Sequence, residues 1–256
     1  MGAYADKHVW IIGASSGIGY ALAVELAAQG GTLALSARSK DKLNALNGEL
    51  GGRHAVLPLD VADTQAFEAA AKAVQGAFPR LDSVIFMAAI YNPASLENLN
   101  VKDVRQTVDI NLNGAFNAVH AVLPMLKKQG GGQFALCASV VGYRGLPNAQ
   151  PYSATKAAMI NLAESLRIEE RGLDIKVINP GFVRTPLTDK NDFRMPMIIE
   201  PKEAAKIIAR ELQTGRFEIH FPKRFTFFVK LLRILPAFLY FKCISRIKPD
   251  SHSRSG

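Results

Sequence analysis

His8-Val9-Trp10-Ile11-Ile12 runs directly into Gly13-Ala14-Ser15-Ser16-Gly17-Ile18-Gly19, and an apolar, helix-patterned stretch continues to Gln29. The first five residues read as a strand and Gly17–Gln29 as a helix. A strand that passes into a helix over three glycines suits an anion. Glycine lets the backbone turn tightly and approach a pyrophosphate, whose charge then sits over free N–H groups at the helix N-terminus. Gly13-Ala14-Ser15-Ser16-Gly17 also fits Gly-x-Ser-x-Gly, the nucleophile elbow of a hydrolase. Only one short strand precedes it, however, and His54, His120, His220 and His252 stand in no triad setting.

Outward from this turn, apolar runs alternate with helical patterns. Strands are expected at Thr32–Ala37, His54–Leu59, Ser83–Met87, Gln133–Ala138, Asp174–Ile178 and Phe217–His220. Helices are expected over Lys40–Leu50, Thr64–Phe78 behind a cap at Asp63, Val101–Gln129, Tyr152–Arg171 and Pro201–Thr214. Strands apolar on both faces, alternating with helices, call for an α/β fold: a doubly wound parallel sheet covered on both sides. One nucleotide-binding and catalytic domain is expected over residues 1–222, a basic, apolar tail over 223–248, and disorder over 249–256.

The chain has 256 residues, 48% hydrophobic and 21% charged, which excludes a disordered or disulfide-stapled chain. Cys137 and Cys243 lie far apart and match no metal-ligand spacing, so no metal site is expected. Neither a secretory leader nor a run long enough to span a membrane is visible, and a cytoplasmic setting follows as the expectation. The net charge of +9 is unevenly placed. From Ile219 onward eight basic residues face Asp250 alone, a net +7, which leaves +2 for the first 218 residues. With no basic cluster on the body, no nucleic-acid partner is expected.

Tyr152-Ser153-Ala154-Thr155-Lys156 opens a helix and puts Tyr152 and Lys156, at i and i+4, on one face. A nearby ammonium stabilises a phenolate and makes the hydroxyl a usable acid or base. A surface Tyr–Lys pair would read the same way. Ser139, at the end of the strand Gln133–Ala138, adds a second hydroxyl at the sheet edge where ligands of open α/β sheets bind.

Taken together, Gly13, Gly17 and Gly19, Asp60, Asn111 within Asp109-Ile110-Asn111-Leu112-Asn113-Gly114, Ser139, Tyr152, Lys156 and Pro180-Gly181 resemble the short-chain dehydrogenase/reductase family, in its single-domain branch. The resemblance covers Lys7 to His220 and implies a Rossmann-like sheet. It implies that Tyr152 exchanges a proton with a substrate oxygen, that Ser139 hydrogen-bonds the same oxygen, and that Lys156 holds the nicotinamide ribose and lowers the Tyr152 pKa. Asn111 would support a water relay to Lys156. Ser15, Ser16 and Ile18 in the glycine turn, Asp60 and Val61 beside the adenine, and Pro180, Gly181, Val183 and Thr185 beside the nicotinamide would complete the cofactor site. The pattern breaks at Phe86-Met87-Ala88-Ala89, where most members carry Asn-Asn-Ala-Gly; Ala88 keeps the small residue that admits the cofactor. Ile12 stands where a threonine is frequent.

About twenty residues past the glycine turn, an acid would bind the ribose hydroxyl of NAD. Ser36-Ala37-Arg38-Ser39 carries none, and Arg38 suits a 2′-phosphate, so NADP(H) is the expected cofactor. In the tail, Phe225, Phe227, Phe228, Leu231, Leu232, Ile234, Leu235, Phe238, Leu239, Tyr240, Phe241 and Ile247 are interleaved with seven basic residues from Lys223 to Lys248, and Pro236 should divide the segment. Such a composition fits docking on an anionic membrane surface at the inner face. It fits equally a lid over the cleft or a subunit contact. Each reading implies a lipophilic carbonyl or alcohol substrate, such as a 3-oxoacyl chain, a keto-sphingoid or a polycyclic ketone, and Met195, Pro196, Met197, Ile198 and Ile199 in the substrate loop point the same way. The family pairs through the helices carrying Asn111 and Tyr152, so a homodimer or homotetramer is expected. The rival is a membrane-associated NADPH-binding protein without turnover.

Overall fold

A computed structural model describes residues 2–245. The expectations for residues 246–248 of the tail, and for disorder over 249–256, lie outside the described residues. Seven strands form one parallel sheet in the order β3-β2-β1-β4-β5-β6-β7. They are β1 (His8–Ile12), β2 (Thr32–Ser36), β3 (Ala55–Val56), β4 (Ser83–Phe86), β5 (Gln133–Cys137), β6 (Asp174–Pro180) and β7 (Glu218–Phe221). Because β1 lies beside both β2 and β4, the chain changes direction across the sheet there, and a crevice opens outside the carboxyl ends of the two strands.

Side-chain alternation in the strands feeds two apolar cores. Val9 and Ile11 face α1 (Gly17–Ala28), α2 (Lys40–Glu49) and α7 (Pro201–Leu212). Trp10 and Ile12 face α3 (Thr64–Ala77), α5 (Gly114–Lys128) and α6 (Tyr152–Glu169). Asp63 caps α3 as expected, its carboxylate accepting from Ala66 N–H at 3.0 Å.

Two elements differ from expectation. The strand expected at His54–Leu59 shrinks to two residues. The ring Nδ1 of His54 takes the Leu33 N–H (3.2 Å), so the side chain stands where a backbone carbonyl would pair. Leu57 and Leu59 still donate to Leu35 and Ala37, and Pro58 between them is tolerated because its position faces away from β2 on this edge strand. The helix expected over Val101–Gln129 forms as α4 (Val101–Val108) and α5, joined by a π-helical turn at Asp109–Asn113. That one-residue expansion buries Asn111.

Beyond the sheet, α8 (Lys223–Ile234) and α9 (Ala237–Ile244) meet at Leu235–Pro236, where the proline caps the second helix. Phe225 and Val229 pack on the core, and Thr226 is fully buried with its hydroxyl 2.6 Å from His220 Nδ1. Among the described residues no helix is long and apolar enough to cross a membrane. Burial, with Lys230 and Lys223 adding to it and Glu218 and Glu211 opposing, pushes His220 down to about 4. As pH falls from the ordinary histidine range toward about 4, the unfolded chain binds a proton that the folded chain refuses, so stability drops through that window. Replacing His220 by Gln should flatten this part of the curve, read from thermal melts across the same pH range.

Candidate active site

Each glycine of the turn has a separate geometric reason. Gly13 adopts φ +98° and Gly17 φ +57°, conformations costly for any side chain. At Gly19 a Cβ would lie 2.1 Å from the Gly13 carbonyl oxygen, so helix and strand could not meet. A Cβ on Gly13 would strike the backbone of Ala88 at 2.6 Å, which is how Phe86-Met87-Ala88-Ala89 supports the turn. Met87 N–H donates to Ile12 O (2.7 Å), and Phe86 is fully buried, so apolar packing and a ladder bond do the work of the missing asparagines. Helix α1 begins at Ser16 with no side-chain cap and no acid in its first turn. Its N–H groups face the cleft unblocked. This bare, glycine-lined helix start fits a dinucleotide pyrophosphate.

The cleft, of about 640 Å³, is lined by Gly13, Ser15, Ser16, Gly17, Ile18 and Gly19, by Arg38, Asp60, Val61 and Ala88, and by Ser139, Tyr152, Lys156, Pro180, Gly181, Val183 and Thr185. All the residues named from the sequence as cofactor contacts therefore border one space. Arg38 is exposed at its rim. The carboxylate of Asp60 accepts from Ala62 N–H at 3.1 Å, and Val61 is buried against Gly114. Thr185 packs on Gly17, where a Cβ would lie 3.2 Å from its methyl.

Ser139 caps a short 3-10 turn at Val140–Gly142, accepting from Val141 N–H at 3.3 Å and donating to Pro180 O at 3.4 Å. Lys156 is almost wholly buried and donates to Cys137 O at 2.7 Å, which ties α6 to the end of β5. Its ammonium stands 5.4 Å from the centre of the Tyr152 ring. Burial moves the two groups in opposite directions: it pushes the Tyr152 hydroxyl up, with Cys137 and Tyr91 adding to this and Ser139 opposing, and it pushes Lys156 down. Asn111 sits one layer back. Its Oδ1 accepts from Ile90 N–H (2.8 Å), and its Nδ2 donates to Ile90 O (2.9 Å) and Thr155 Oγ1 (3.3 Å). It thus joins the segment after β4 to the helix of Tyr152.

Sequence reading missed three contributors. Lys42 lines the cleft just past Arg38, in the first turn of α2, where its N–H donates to the capping Ser39 hydroxyl at 3.4 Å. Tyr91 lies 4.9 Å from Tyr152, ring to ring, just past the carboxyl end of β4. Its hydroxyl donates to Asn191 (3.0 Å), and Lys190 donates to Tyr91 O (2.7 Å), so the loop after Thr185 is fastened across the cleft. No local pattern announces that pairing across one hundred residues. Ile199, expected in the substrate loop, instead bridges to Val183 and packs on the core.

The family model for short chain dehydrogenases matches residues 7–194. A 2-dehydro-3-deoxy-L-rhamnonate dehydrogenase (NAD(+)) of Sphingomonas is 34% identical over 74% of this chain and 77% of its own length. A 3-oxoacyl-(acyl-carrier-protein) reductase of Thermotoga maritima is 31% identical over 81% of this chain and 82% of its own. In fold, the chain is similar to a short-chain dehydrogenase/reductase from Mycobacterium ulcerans (TM-score 0.76, 23% identity, covering 85% and 89% of the two chains) and to ElxO solved with NADP bound (0.75, 23%, 84% and 97%). The chain belongs to the short-chain dehydrogenase/reductase family, and it is an oxidoreductase.

Gly19→Ala should drive the turn apart while leaving both apolar cores intact. Nucleotide affinity should fall at least about tenfold, some 1.4 kcal/mol, by fluorescence titration with NADPH. The far-ultraviolet circular dichroism should be unchanged.

Proposed function

We propose that the protein is an NADP(H)-dependent reductase of lipophilic ketones. One observation carries the reading: Ser139, Tyr152 and Lys156 share a single cleft with the bare N-terminus of α1 and with the cationic pair Arg38 and Lys42. Two bases at the rim and no acid at that position suit a 2′-phosphate, where NAD would call for a carboxylate. When bound, the nicotinamide supplies a hydride to the carbonyl carbon. The chain's own residues handle the oxygen. Ser139 Oγ orients it by a hydrogen bond, and Tyr152 gives it the proton that completes the alcohol. Burial holds Tyr152 protonated, the form that reduction requires. Lys156 and Asn111 fix α6, and with it the Tyr152 hydroxyl, against β5 and the segment after β4.

Lipophilicity of the substrate is supported by an aromatic cluster beside Gly181, in which Phe182 lies 5.5 Å from Phe225 in a tilted pair and 5.8 Å from Phe193 edge-on. A 3-oxoacyl chain, a keto-sphingoid or a polycyclic ketone would match such a wall. Pairing into a homodimer or homotetramer through α5 and α6 belongs to the same reading, and exposed Phe116 and Ile168 on those helices support it. So does a cytoplasmic protein attached peripherally to the inner membrane face by its tail.

Consumption of NADPH against ketones graded by chain length tests the proposal. Tyr152→Phe should keep NADPH binding and lose roughly 10²–10⁴-fold in kcat, the usual worth of a positioned proton donor. Arg38→Asp should invert the ratio of kcat/KM for NADPH over NADH, because a carboxylate repels the phosphate and accepts from a 2′-hydroxyl.

A further inference from the structure

Seven of the thirteen large hydrophobic side chains exposed among the described residues lie in α8 and α9: Phe227, Phe228, Leu231, Ile234, Phe238, Leu239 and Phe241. They are arranged, not scattered. Phe227, Leu231 and Ile234 recur at i, i+4 and i+7 of α8, opposite the stripe of Phe225, Thr226 and Val229 that packs inward. In α9, Tyr240 and Ile244 turn inward while Phe238 and Phe241 face out. Around this apolar face stand exposed Lys223, Arg224, Arg233 and Lys242, and no acidic residue occurs from Lys223 to Ser245.

The pair of helices is held in one attitude. Arg144 donates to the carbonyls of Leu232 (3.1 Å), Arg233 (3.2 Å) and Leu235 (2.7 Å), closing the C-terminal end of α8, and its guanidinium stacks 3.9 Å over the Tyr240 ring. Tyr240 donates to Gly145 O (2.5 Å). Lys230, the inward-leaning base, pairs with Glu218, which also accepts from Tyr143 and Asn179. Tyr143, Arg144 and Gly145 belong to the segment between Ser139 and Tyr152. These residues tie the helices to the stretch that joins Ser139 to Tyr152, both of which line the cleft. On the other side, Phe225 lies against Gly181, where a Cβ would meet its ring at 2.8 Å, and Gly181 lines the cleft.

We propose that α8 and α9 form a rigid platform that rests on an anionic lipid bilayer and sets the mouth of the cleft at the membrane surface, so that the ketone is drawn from the lipid phase along Phe225, Phe182 and Phe193. Charge selects the occupant. A second copy docked face to face would bring two uncompensated sets of cations together, whereas anionic headgroups neutralise them and the acyl boundary receives the aromatic side chains. Helices of twelve and eight residues lie in an interface and do not span it. The docking half stands by itself; the delivery half rests on the reductase reading.

Cosedimentation of the full chain with phosphatidylcholine–phosphatidylglycerol vesicles, and with phosphatidylcholine alone, tests docking without turnover. Binding should require the anionic lipid and weaken with salt. Lys223→Gln and Arg224→Gln should each reduce partitioning roughly fivefold, the equivalent of about 1 kcal/mol per base. The combined change Phe227→Ser, Leu231→Ser and Ile234→Ser, all at exposed positions, should abolish it with the mass in solution unchanged. Vesicle binding by that variant equal to the original, or a change in its oligomeric mass, overturns docking; the second result would make the face a subunit contact. Should that variant fail to fold, the two charge variants decide alone. With a long-chain ketone carried in vesicles, kcat/KM should fall with partitioning, while a short water-soluble ketone is reduced as before. Equal losses on both ketones overturn delivery. Vesicle binding with no ketone reduced by the unaltered protein would overturn the reductase reading and leave docking standing.

Discussion

The site depends on a contact between two backbones. At Gly142 a Cβ would lie 2.7 Å from the carbonyl carbon of Lys156 and 2.8 Å from the nitrogen of Ala157. Only the absence of a side chain lets the turn after Ser139 lie on helix α6. Ser153 Oγ then reaches Val141 O at 2.8 Å, and Lys156 reaches Cys137 O. With three points fixed, the Ser139 hydroxyl and the Tyr152 ring face one space. A helix even slightly displaced would separate these two hydroxyls. Beyond Gly142 the same stretch of chain runs through Tyr143, Arg144 and Gly145, so the constraint that brings Ser139 to Tyr152 also reaches the residues that hold α8 and α9.

How far the sequence discloses this arrangement varies with the range of the interactions. The glycine turn is legible because its requirements are local: tight turning and close approach within seven residues. The alternation of strand and helix, the cap at Asp63 and the break at Pro236 are legible for the same reason. The shortening of β3 is not, since it depends on the His54 ring reaching Leu33, twenty-one residues away. Nor is the π-helical turn, because Asn111 gains by being displaced inward only once Ile90 and Thr155 are in place. Tyr91 and Asn191 are ordinary loop residues until the fold brings them together.

The tail shows the limit most plainly. Its composition announced apolar and cationic character, but composition cannot say which side chains turn inward. Of the basic residues of α8, Lys230 is committed to Glu218, while Lys223, Arg224 and Arg233 remain exposed. Of its phenylalanines, Phe225 packs on the core and against Gly181, while Phe227 and Phe228 are exposed. The division follows from the helical period measured against a fixed point, buried Thr226, whose hydroxyl meets His220. An inward-packed stripe and an exposed apolar stripe, indistinguishable at the level of composition, become two faces of one helix.

Desolvation gives the cleft its chemical bias. A phenol removed from water resists ionisation, and a buried amine resists protonation, so each group is driven toward its neutral form. For Tyr152 that form is the neutral phenol. Ser139, at the end of β5, opposes this rise in its pKa. Lys156 is spent instead on Cys137 O, holding the helix that carries Tyr152. Its hold on the hydroxyl is therefore mechanical: it fixes the helix from which Tyr152 projects.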